Sequence, residues 1–395
     1  MIPEKQITTK AFVVEEPGAP FVLQDVVLDE VRANEVLVEM KYTGLCHTDI
    51  AVQHGEIPVG AYPAVLGHEG AGIVRRIGGN VKDKTLHEGD MVFLSFSSCL
   101  EANCSPCQEG RCGFCPQITD INFGGARGMD AAKSPISFPD KQRPPIRGQF
   151  FGQSSLSKLA VVKETSVVKC PSGSGSGASA LTVDDMAFLA PLGCGYLTGA
   201  GTVFNVLKPK TTSRFAILGM GAVGLAAMFA ARELGVENVI AVDIVDAKLE
   251  LAASLGASHT LNTTRVPDLV QGLRDLFPDG VDHVLDTTGV VPLQEASVKA
   301  LGHEGTLAIV GVAPKDAELK IHPLEFMMSC KRVLGVIEGC SSPVSLIPKL
   351  VDLYQQGKFP VDKLCKVYDT GSMEQALQDL RSGKVIKPII KWMNL

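Results

Sequence analysis

The hydrophobic pattern of the chain changes near residue 196. Before about residue 170, short apolar and β-branched runs end in turns rich in Gly and Pro, and 35–44 and 90–96 are the clearest predicted strands. After residue 196, buried apolar strands alternate with helical stretches, beginning with an apolar run at 215–231. Such alternation is typical of a parallel sheet covered by helices on both faces. The pattern therefore predicts an α/β protein with a β-rich domain followed by a doubly wound domain.

The alternation ends near residue 338, where two amphipathic helical stretches follow, 345–358 and 373–384. Segment 119–150 is polar and rich in Gly and Pro, which predicts a long loop. That loop is either an exposed connection or one wall of a substrate pocket. The run PSGSGSGAS, at 171–179, predicts a flexible surface loop. A length of 395 residues also favours two domains over one.

Composition narrows the class of protein and its compartment. The net charge is −6 and no run of Lys and Arg stands out, which argues against a nucleic-acid or membrane-surface partner. The first ten residues are charged where a secretory signal would be apolar. Without an export signal, the 11 cysteines indicate a reducing cytoplasm, where clustered cysteines bind metal more often than they form disulfides.

A glycine pattern follows the first strand of the second half. Gly219, Gly221 and Gly224 stand between a predicted strand and a predicted helix, as in dinucleotide-binding turns. The turn, which includes Ala222 and Val223, would offer helix N-terminal N–H groups to a pyrophosphate. Asp243 ends the next strand, where a carboxylate accepts hydrogen bonds from a ribose and repels a 2′-phosphate. The prediction is an NAD site, with NADP less favoured; a turn that binds nothing is the alternative.

Five cysteines lie within residues 99–115. Four of them follow the spacing C-x4-C-x2-C-x7-C and are predicted to hold a structural zinc ion with no open coordination position: Cys99, Cys104, Cys107 and Cys115. Disulfides and an iron–sulfur cluster are the alternatives. Cys112 is left over as a spare, although it could replace one of the four.

A second candidate set is spread along the chain. Cys46, His68 and Cys194 each stand beside small or polar residues. Two thiolates and one imidazole leave the fourth position of zinc open for water or an alcohol, which is the pattern of a catalytic site. Spacing alone supports this grouping weakly, because a lone buried Cys or His is more often part of a core.

Taken together, the motifs resemble the medium-chain zinc-dependent alcohol dehydrogenases over nearly the whole chain. The resemblance is carried by GLCHTD (44–49), GHEGAG (67–72), the four-cysteine loop, GCGYLTG (193–199) and the glycine turn. It implies a GroES-like catalytic domain that carries both zinc sites over 1–195, a Rossmann NAD-binding domain over 196–337, and a return segment over 338–395 that completes the catalytic domain. The active site would lie between the two domains. Three further stretches resemble the aryl-alcohol (benzyl alcohol) dehydrogenase branch: FFGQSS (150–155), GVIEGCSSP (335–343) and GKVIKPII (383–390).

The resemblance also implies roles for single residues. Cys46, His68 and Cys194 would bind the catalytic zinc, and the four cysteines of the 99–115 loop the structural zinc. Asp49 would orient His68, Glu69 would lie behind the metal and tune it, and Thr48 would receive the proton of the alcohol. Further cofactor contacts are implied for His47 and Lys387 near the phosphates, Lys248 beside the adenosine ribose, and Val310 and Val312 near the nicotinamide carboxamide. A solvated surface charge is the alternative for His47 and Lys387.

The chain departs from the family pattern at two places. The structural loop has two extra residues between its first and second cysteines, which leaves the choice of ligands open. Ala51 stands where many relatives carry a histidine that ends a proton relay. The proton would then pass from Thr48 through the ribose hydroxyl to water or another base.

The implied activity is hydride transfer between NAD(H) and a primary aryl or allylic alcohol or its aldehyde, with two zinc ions per chain. A glutathione-dependent formaldehyde dehydrogenase, a biosynthetic aldehyde reductase and a non-catalytic NAD-binding redox sensor are the alternatives. Polyol dehydrogenases usually have Glu in place of Cys194, and zinc-free quinone reductases lack the ligand set. Apart from small-molecule substrates, the implied partner is a second copy of the chain in a cytoplasmic homodimer or homotetramer.

Overall fold

The computed structural model describes residues 7–57, 61–99, 101–125, 127, 133–171, 180–266 and 268–392. The chain divides into two compact units, one formed by 1–194 with 342–395 and the other by 195–341. Compared with the boundaries expected from the sequence, the first division lies one residue earlier and the second four residues later. Most of the expected flexible loop at 171–179 lies outside the described residues.

The first unit begins with short strands and four short helices. Its strands are β1 (Ile7–Val14), β2 (Val22–Leu28), β3 (Glu35–Gly44), β4 (Ala64–Val65), β5 (Gly70–Ile77), β6 (Met91–Leu94), β7 (Ile136–Ser137), β8 (Leu159–Lys163) and β9 (Val167–Lys169). Its helices are α1 (His47–Gln53), α2 (Ser105–Gln108), α3 (Ile118–Phe123) and α4 (Met186–Leu189).

The second unit alternates strands with helices. Its strands are β10 (Arg214–Leu218), β11 (Asn238–Asp243), β12 (His259–Asn262), β13 (Val281–Asp286), β14 (Leu301–Ile309) and β15 (Arg332–Gly335). Its helices are α5 (Gly195–Gly201), α6 (Ala222–Glu233), α7 (Asp246–Ser254), α8 (Leu269–Leu276), α9 (Val291–Ala300) and α10 (Pro323–Met328). A π-helical stretch, Thr202–Leu207, extends α5.

The C-terminal segment returns to the first unit. It contains α11 (Pro343–Gln355), β16 (Cys365–Asp369), α12 (Met373–Arg381) and β17 (Lys387–Lys391). Strand β17 pairs antiparallel with β3, with Ile390 opposite Thr43. The last described residue, Trp392, is buried: its indole N–H donates to Thr43 Oγ1, and its ring packs on Phe12. Through these contacts, the C-terminal segment and the N-terminal strands form one folded unit.

Two sheets form the β-rich unit. A four-stranded sheet has the order β4-β1-β2-β7, and a seven-stranded sheet has the order β16-β17-β3-β5-β6-β9, with β8 also paired to β3. Strand β3 is almost wholly buried because it pairs with neighbours along its length. It ends at Gly44, directly before the first candidate metal ligand.

The second unit has a six-stranded sheet with the order β12-β11-β10-β13-β14-β15. All of its pairings are parallel, so the prediction of a parallel doubly wound sheet is confirmed. The apolar run at 215–231 forms β10 and most of α6, and both are buried because they lie inside the sheet and against it. The order of the strands reverses between β10 and β13, which places the switch point of the sheet there.

Segment 119–150 contains more regular structure than a loop, which corrects the sequence-based expectation. It includes most of α3 and the short strand β7, which pairs with β2. Arg127 is 5% exposed and donates to both carboxylate oxygens of Glu35 at 2.9 and 2.8 Å. Its guanidinium also pairs with Asp29. A local sequence pattern cannot predict a buried ion pair between distant parts of the chain. Residues 126 and 128–132 lie outside the described part of this segment.

Within the described ranges, no single helix has both the length and the apolar composition to cross a membrane. One bent pair, Met186–Gly193 with Gly195–Leu207, meets both conditions only when its two members are counted together.

Candidate active site and metal centres

Three turns of the first unit bring together the candidate ligands of the catalytic zinc. Cys46 follows β3 and is the N-cap of α1, His68 precedes β5, and Cys194 ends a 3₁₀ turn. Their ligand atoms, together with a carboxylate oxygen of Glu69, all lie within 4.8 Å of one another. Gly193 permits the approach of Cys194, because a Cβ there would overlap the carbonyl oxygen of Leu94.

Asp49 joins two of the candidate ligands. Its Oδ1 lies 3.0 Å from Nδ1 of His68 and accepts the backbone N–H of Gly67 at 3.0 Å, while Oδ2 accepts the N–H of Cys46 at 3.2 Å. A carboxylate on Nδ1 sets the tautomer of the imidazole and directs Nε2 away from it. These contacts would allow Asp49 to orient His68, and that role stays a prediction.

The donor set fits a metal ion. Nε2 of His68 is buried, and among the described residues it has no hydrogen-bond partner. A buried polar atom without a hydrogen bond destabilises a protein unless a ligand binds to that atom. It faces the sulfur atoms of Cys46 and Cys194, and two thiolates with one imidazole are donors that zinc prefers. These three residues could therefore hold zinc.

Glu69 and Lys387 form a buried ion pair beside this set. Lys387 is 3% exposed, and its ammonium donates to both carboxylate oxygens of Glu69, at 2.8 and 2.9 Å, and to the carbonyl of Leu45 at 3.2 Å. Burial alone would lower the pKa of Lys387, but the charges of Glu69, Cys46 and Cys194 raise it, so the lysine stays protonated. The contact of Lys387 with cofactor phosphates stays a prediction.

The surroundings also favour the thiolate form of Cys46. Interaction with the Cys194 sulfur holds the pKa of the Cys46 thiol well below its usual value. Burial opposes this shift, whereas the charges of His68 and Lys387 add to it. Because the thiolate is the metal-binding form, this electrostatic setting suits a ligand.

Two residues beside His68 were missed by sequence analysis. Gln153 is buried and donates to the carbonyl of His68 at 3.0 Å, while its Oε1 accepts the N–H of Gly70 at 3.1 Å. The Phe151 ring stacks on the His68 imidazole, with centroids 4.6 Å apart. Phe151 holds a left-handed φ of 52°, in a turn bonded through Ser166. Both lie in FFGQSS (150–155), a stretch that carries the branch resemblance, but no pattern in the sequence assigned them a role.

The four-cysteine loop forms a second cluster. The sulfur atoms of Cys99, Cys104, Cys107 and Cys115 all lie within 4.8 Å of one another. Cys99 is 3.7 Å from the sulfur of Cys107 and 3.6 Å from that of Cys115. The cysteines are free thiols rather than disulfides, and the cluster does not include Cys112. The two extra residues of the loop therefore leave four sulfur atoms converged, as a tetrahedral zinc site requires.

The glycine turn of the second unit fits a dinucleotide. Gly219 has a φ of +89°, and a Cβ on Gly224 would overlap the carbonyl oxygen of Gly219. Gly221 is the N-cap of α6; no side chain caps this end, and a Cβ on Gly221 would meet no atom within 4 Å. Free N–H groups that face open space at a helix N-terminus suit a pyrophosphate.

The carboxylate of Asp243 is held at the end of β11. Its Oδ2 accepts the N–H of Met220 at 2.7 Å, and its Oδ1 accepts those of Ile244 and Val245 at 2.7 and 3.0 Å. This fixes the acid next to the glycine turn, where the ribose of a dinucleotide binds. The remaining predicted cofactor residues are placed as follows: Ala222 and Val223 start α6, Lys248 lies on α7, Val310 and Val312 follow β14, and His47, with Thr48 next to it, begins α1.

Models of two known protein families match the two parts of the chain. The model of the alcohol dehydrogenase GroES-like domain matches residues 32–172, and the model of the zinc-binding dehydrogenase family matches residues 222–356. The chain is 35% identical to a geraniol dehydrogenase of Castellaniella defragrans over 97% of its own length and 98% of that protein.

Two solved structures are similar in both sequence and fold. The benzyl alcohol dehydrogenase of Acinetobacter calcoaceticus is 38% identical, with a TM-score of 0.88 over 98% of this chain and 100% of the other. An alcohol dehydrogenase zinc-binding domain protein of Burkholderia ambifaria is also 38% identical. Its TM-score is 0.90, over 99% of this chain and 100% of the other. The expected fold, a GroES-like domain with a Rossmann domain, is confirmed. The motifs, the geometry and the matches over nearly the whole chain agree, and the chain belongs to the medium-chain zinc-dependent alcohol dehydrogenase family.

Proposed function

We propose that this chain is an NAD-dependent zinc alcohol dehydrogenase that interconverts a primary aryl or allylic alcohol and its aldehyde. The observation that carries the proposal is the convergence of Cys46, His68 and Cys194, with a buried imidazole nitrogen left without a hydrogen-bond partner among the described residues. Bound zinc supplies a Lewis acid for the substrate oxygen, and NAD supplies the hydride acceptor. The alcohol loses a proton and a hydride, giving aldehyde, NADH and a released proton.

The residues around the metal set hold it and handle the proton. Asp49 keeps the His68 imidazole in one tautomer. Thr48 has its Oγ1 3.7 Å from the Cys46 sulfur, so its hydroxyl lies beside the candidate metal set, where it would exchange a proton with a substrate oxygen. Ala51 has no group that could accept the proton further along. With NAD bound, the proton would leave Thr48 through a ribose hydroxyl to water or another base.

The aromatic residues beside His68 support aryl or allylic substrates. The rings of Phe150 and Phe151 are 4.9 Å apart and lie 5.8 and 5.0 Å from Phe123. Phe150 also meets the His68 ring edge-on at 5.6 Å. Flat π systems pack well against such a cluster. Two relatives are named for activity on geraniol and on benzyl alcohol, which belong to these substrate classes.

A panel of alcohols tests the activity and the role of the metal set. We expect NADH formation with benzylic and allylic alcohols, with kcat/KM at least about tenfold above short aliphatic alcohols. Cys46→Ser should reduce turnover by about a thousandfold, because the Lewis acid is lost, while NAD binding persists. The exposed cysteine variant Cys330→Ser is the matched control. Full activity of metal-depleted Cys46→Ser would refute the proposal. If the chain oxidises formaldehyde only in the presence of glutathione, the glutathione-dependent formaldehyde dehydrogenase is favoured. If it reduces aldehydes but does not measurably oxidise alcohols, the biosynthetic aldehyde reductase is favoured.

The metal content tests the two clusters separately. We expect about two zinc ions per chain, since each cluster offers a donor set that zinc prefers. Cys104→Ser should lower the content to about one and reduce the Tm, because a structural zinc stabilises the folded loop. Cys112→Ser, in the same loop, should leave both values unchanged. A content of two in Cys104→Ser, measured by elemental analysis, would contradict the ligand set.

Nucleotide preference tests the glycine turn. We expect NAD to bind more tightly than NADP, because the Asp243 carboxylate repels a 2′-phosphate. Asp243→Ala should narrow that preference by about tenfold. Gly224→Ala should weaken both nucleotides, since its Cβ would overlap the Gly219 carbonyl. Asp275→Ala, on the exposed face of α8, is the charge-matched control. Titration calorimetry measures all four proteins, and tighter binding of NADP by the wild type would contradict the assignment.

The edge of the parallel sheet supports self-association. Strand β15 is the last strand on its side of the sheet, and the neighbouring α10 has exposed apolar side chains: Leu324, Met327 and Met328. An open sheet edge beside an apolar surface favours pairing with a second copy. We expect light scattering to give a multiple of the 41.9 kDa chain mass. The double variant Met327→Glu/Met328→Glu should give a monomer, and Val344→Glu, an exposed apolar position elsewhere, should not. A monomeric wild type would contradict the proposal.

A further inference from the structure

Two turns of the second unit lie across the switch point of the sheet from Asp243. They are the β13 turn (286–289) and the β14 turn (310–313), each at the carboxyl end of its strand. Dinucleotides bind across a switch point, outside the carboxyl ends of the strands. The glycine turn and Asp243 place the adenosine half of NAD beside β10 and β11. The nicotinamide half then belongs over the β13 and β14 turns; this step rests on the proposed function.

The β13 turn is bonded directly to the glycine turn. The backbone N–H of Thr287 donates to the carbonyl of Leu218 at 3.0 Å. Its hydroxyl donates to the carbonyls of Leu218 and Gly219, at 2.8 and 3.1 Å. A Cβ on Gly219 would lie 2.5 Å from the Thr287 hydroxyl oxygen, so the close approach requires glycine. These contacts set the position of the β13 turn relative to the candidate pyrophosphate site.

The β13 turn also holds the β14 turn. The backbone carbonyl of Asp286 accepts the N–H groups of Val310 and Gly311, at 2.9 and 3.0 Å. A Cβ on Gly311 would lie 2.1 Å from the Gly289 nitrogen, and a Cβ on Gly289 would lie 2.2 Å from the Val312 carbonyl oxygen. The two turns therefore pack backbone against backbone, and a shift of the first would displace the second.

The side chain of Asp286 fixes the shape of the β13 turn. It is wholly buried, and its Oδ1 accepts the N–H and the hydroxyl of Thr288, at 2.9 and 2.6 Å. Its Oδ2 accepts the N–H of Gly289 at 3.2 Å and the amide of Gln294, on α9, at 2.8 Å.

All four of these donors belong to the β13 turn or to the helix that follows it. A buried carboxylate is costly unless donors surround it, so these hydrogen bonds hold the side chain and the turn in one arrangement. The carboxylate of Asp286 thus points into its own turn and shapes the backbone, rather than facing a ligand.

We propose that Asp286 is a positioning residue for the nicotinamide half of the cofactor, because it fixes the spacing between the glycine turn and the β14 turn. A dinucleotide gains affinity from both of its halves only when the two half-sites are spaced to fit it. Half-sites that are fixed before binding also lose less entropy when the ligand arrives. Without the Asp286 carboxylate, the glycine turn and Asp243 still bind the adenosine half, whereas the nicotinamide half loses a fixed surface.

Binding of NAD⁺ and of ADP-ribose, which lacks only the nicotinamide, tests this in the full zinc-loaded chain. Asp286→Asn keeps the size of the side chain, but in either orientation of the amide the N–H of Thr288 or of Gly289 loses its acceptor. We expect the Kd of NAD⁺, measured by calorimetry, to rise about tenfold in Asp286→Asn. The Kd of ADP-ribose should change less than about twofold.

Asp282→Asn is the matched control, at the other end of the same strand. Asp282 accepts the backbone N–H of Arg214 at 2.7 Å and its guanidinium at 2.8 Å, so the variant also removes hydrogen bonds from the sheet. We expect a lower Tm and unchanged Kd values for both ligands. A selective loss of NAD⁺ binding in Asp282→Asn as large as in Asp286→Asn would overturn the inference, because general loosening of the sheet would then explain both.

A milder variant covers the case in which Asp286→Asn does not fold. Thr288→Val keeps the branched side chain of a half-buried residue and removes the hydroxyl, which donates to Asp286 and accepts the N–H of Val290 at 3.1 Å. We expect NAD⁺ to bind about threefold more weakly and ADP-ribose as before. An unchanged ratio of the two Kd values in Thr288→Val contradicts the inference, and so does an equal weakening of both ligands in Asp286→Asn.

The wild type separates this inference from the proposed function. A chain that binds neither ligand overturns both. A chain that binds both ligands, with the same ratio of Kd values in the wild type and in Asp286→Asn, overturns the role of Asp286 alone.

Discussion

Charge balance in the interior of the first unit is the constraint on which the fold depends. Cys46, His68, Glu69 and Cys194 bring ionisable groups together where little water reaches. The Lys387 ammonium, 2.8 Å from Glu69, supplies a positive charge among them. Removing one partner of a buried pair costs about 3–5 kcal/mol, because the other charge is left uncompensated. The first unit therefore needs a lysine from the far end of the chain.

This requirement explains the return of the C-terminal segment. Lys387 opens β17, and the pairing of β17 with β3 carries the lysine to the carboxyl end of β3, next to Cys46. The Trp392 indole, bonded to Thr43, closes the same strand pair from the other end. A truncated chain would thus lose both the strand and the charge. The insertion of the second unit between the two parts of the first leaves this arrangement intact, because each unit has its own sheets.

The rigidity of both sites comes from backbone that side chains hold in place. His68 is held at its ring by Asp49, at its carbonyl by Gln153, and across its face by Phe151. In the second unit, Gly219 and the turn at 338–340 adopt left-handed conformations at the carboxyl edge of the sheet. Groups fixed before a ligand arrives lose little entropy on binding, which favours accurate positioning of reacting atoms.

The sequence by itself determined the local elements and the types of chemistry. Periodicity predicted β3, β10, β11 and α6, because their apolar pattern follows directly from burial in a sheet or against it. Cysteine spacing and the glycine turn pointed to metal and nucleotide sites, since their ligands are close in the chain. The sequence did not predict the short edge strand β15, because this strand is partly exposed and has no strong pattern of apolar and polar residues.

Only the tertiary structure decided which distant residues meet. It brought Glu69 to Lys387, Arg127 to Glu35, and Glu338 to Thr198. It also gave segment 119–150 a helix and a strand where its Gly and Pro content predicted a loop. The physical reason is the same in each case. A local sequence pattern indicates how a segment forms its backbone hydrogen bonds and buries its apolar side chains. The partner of a buried charge depends instead on which distant part of the chain packs against it.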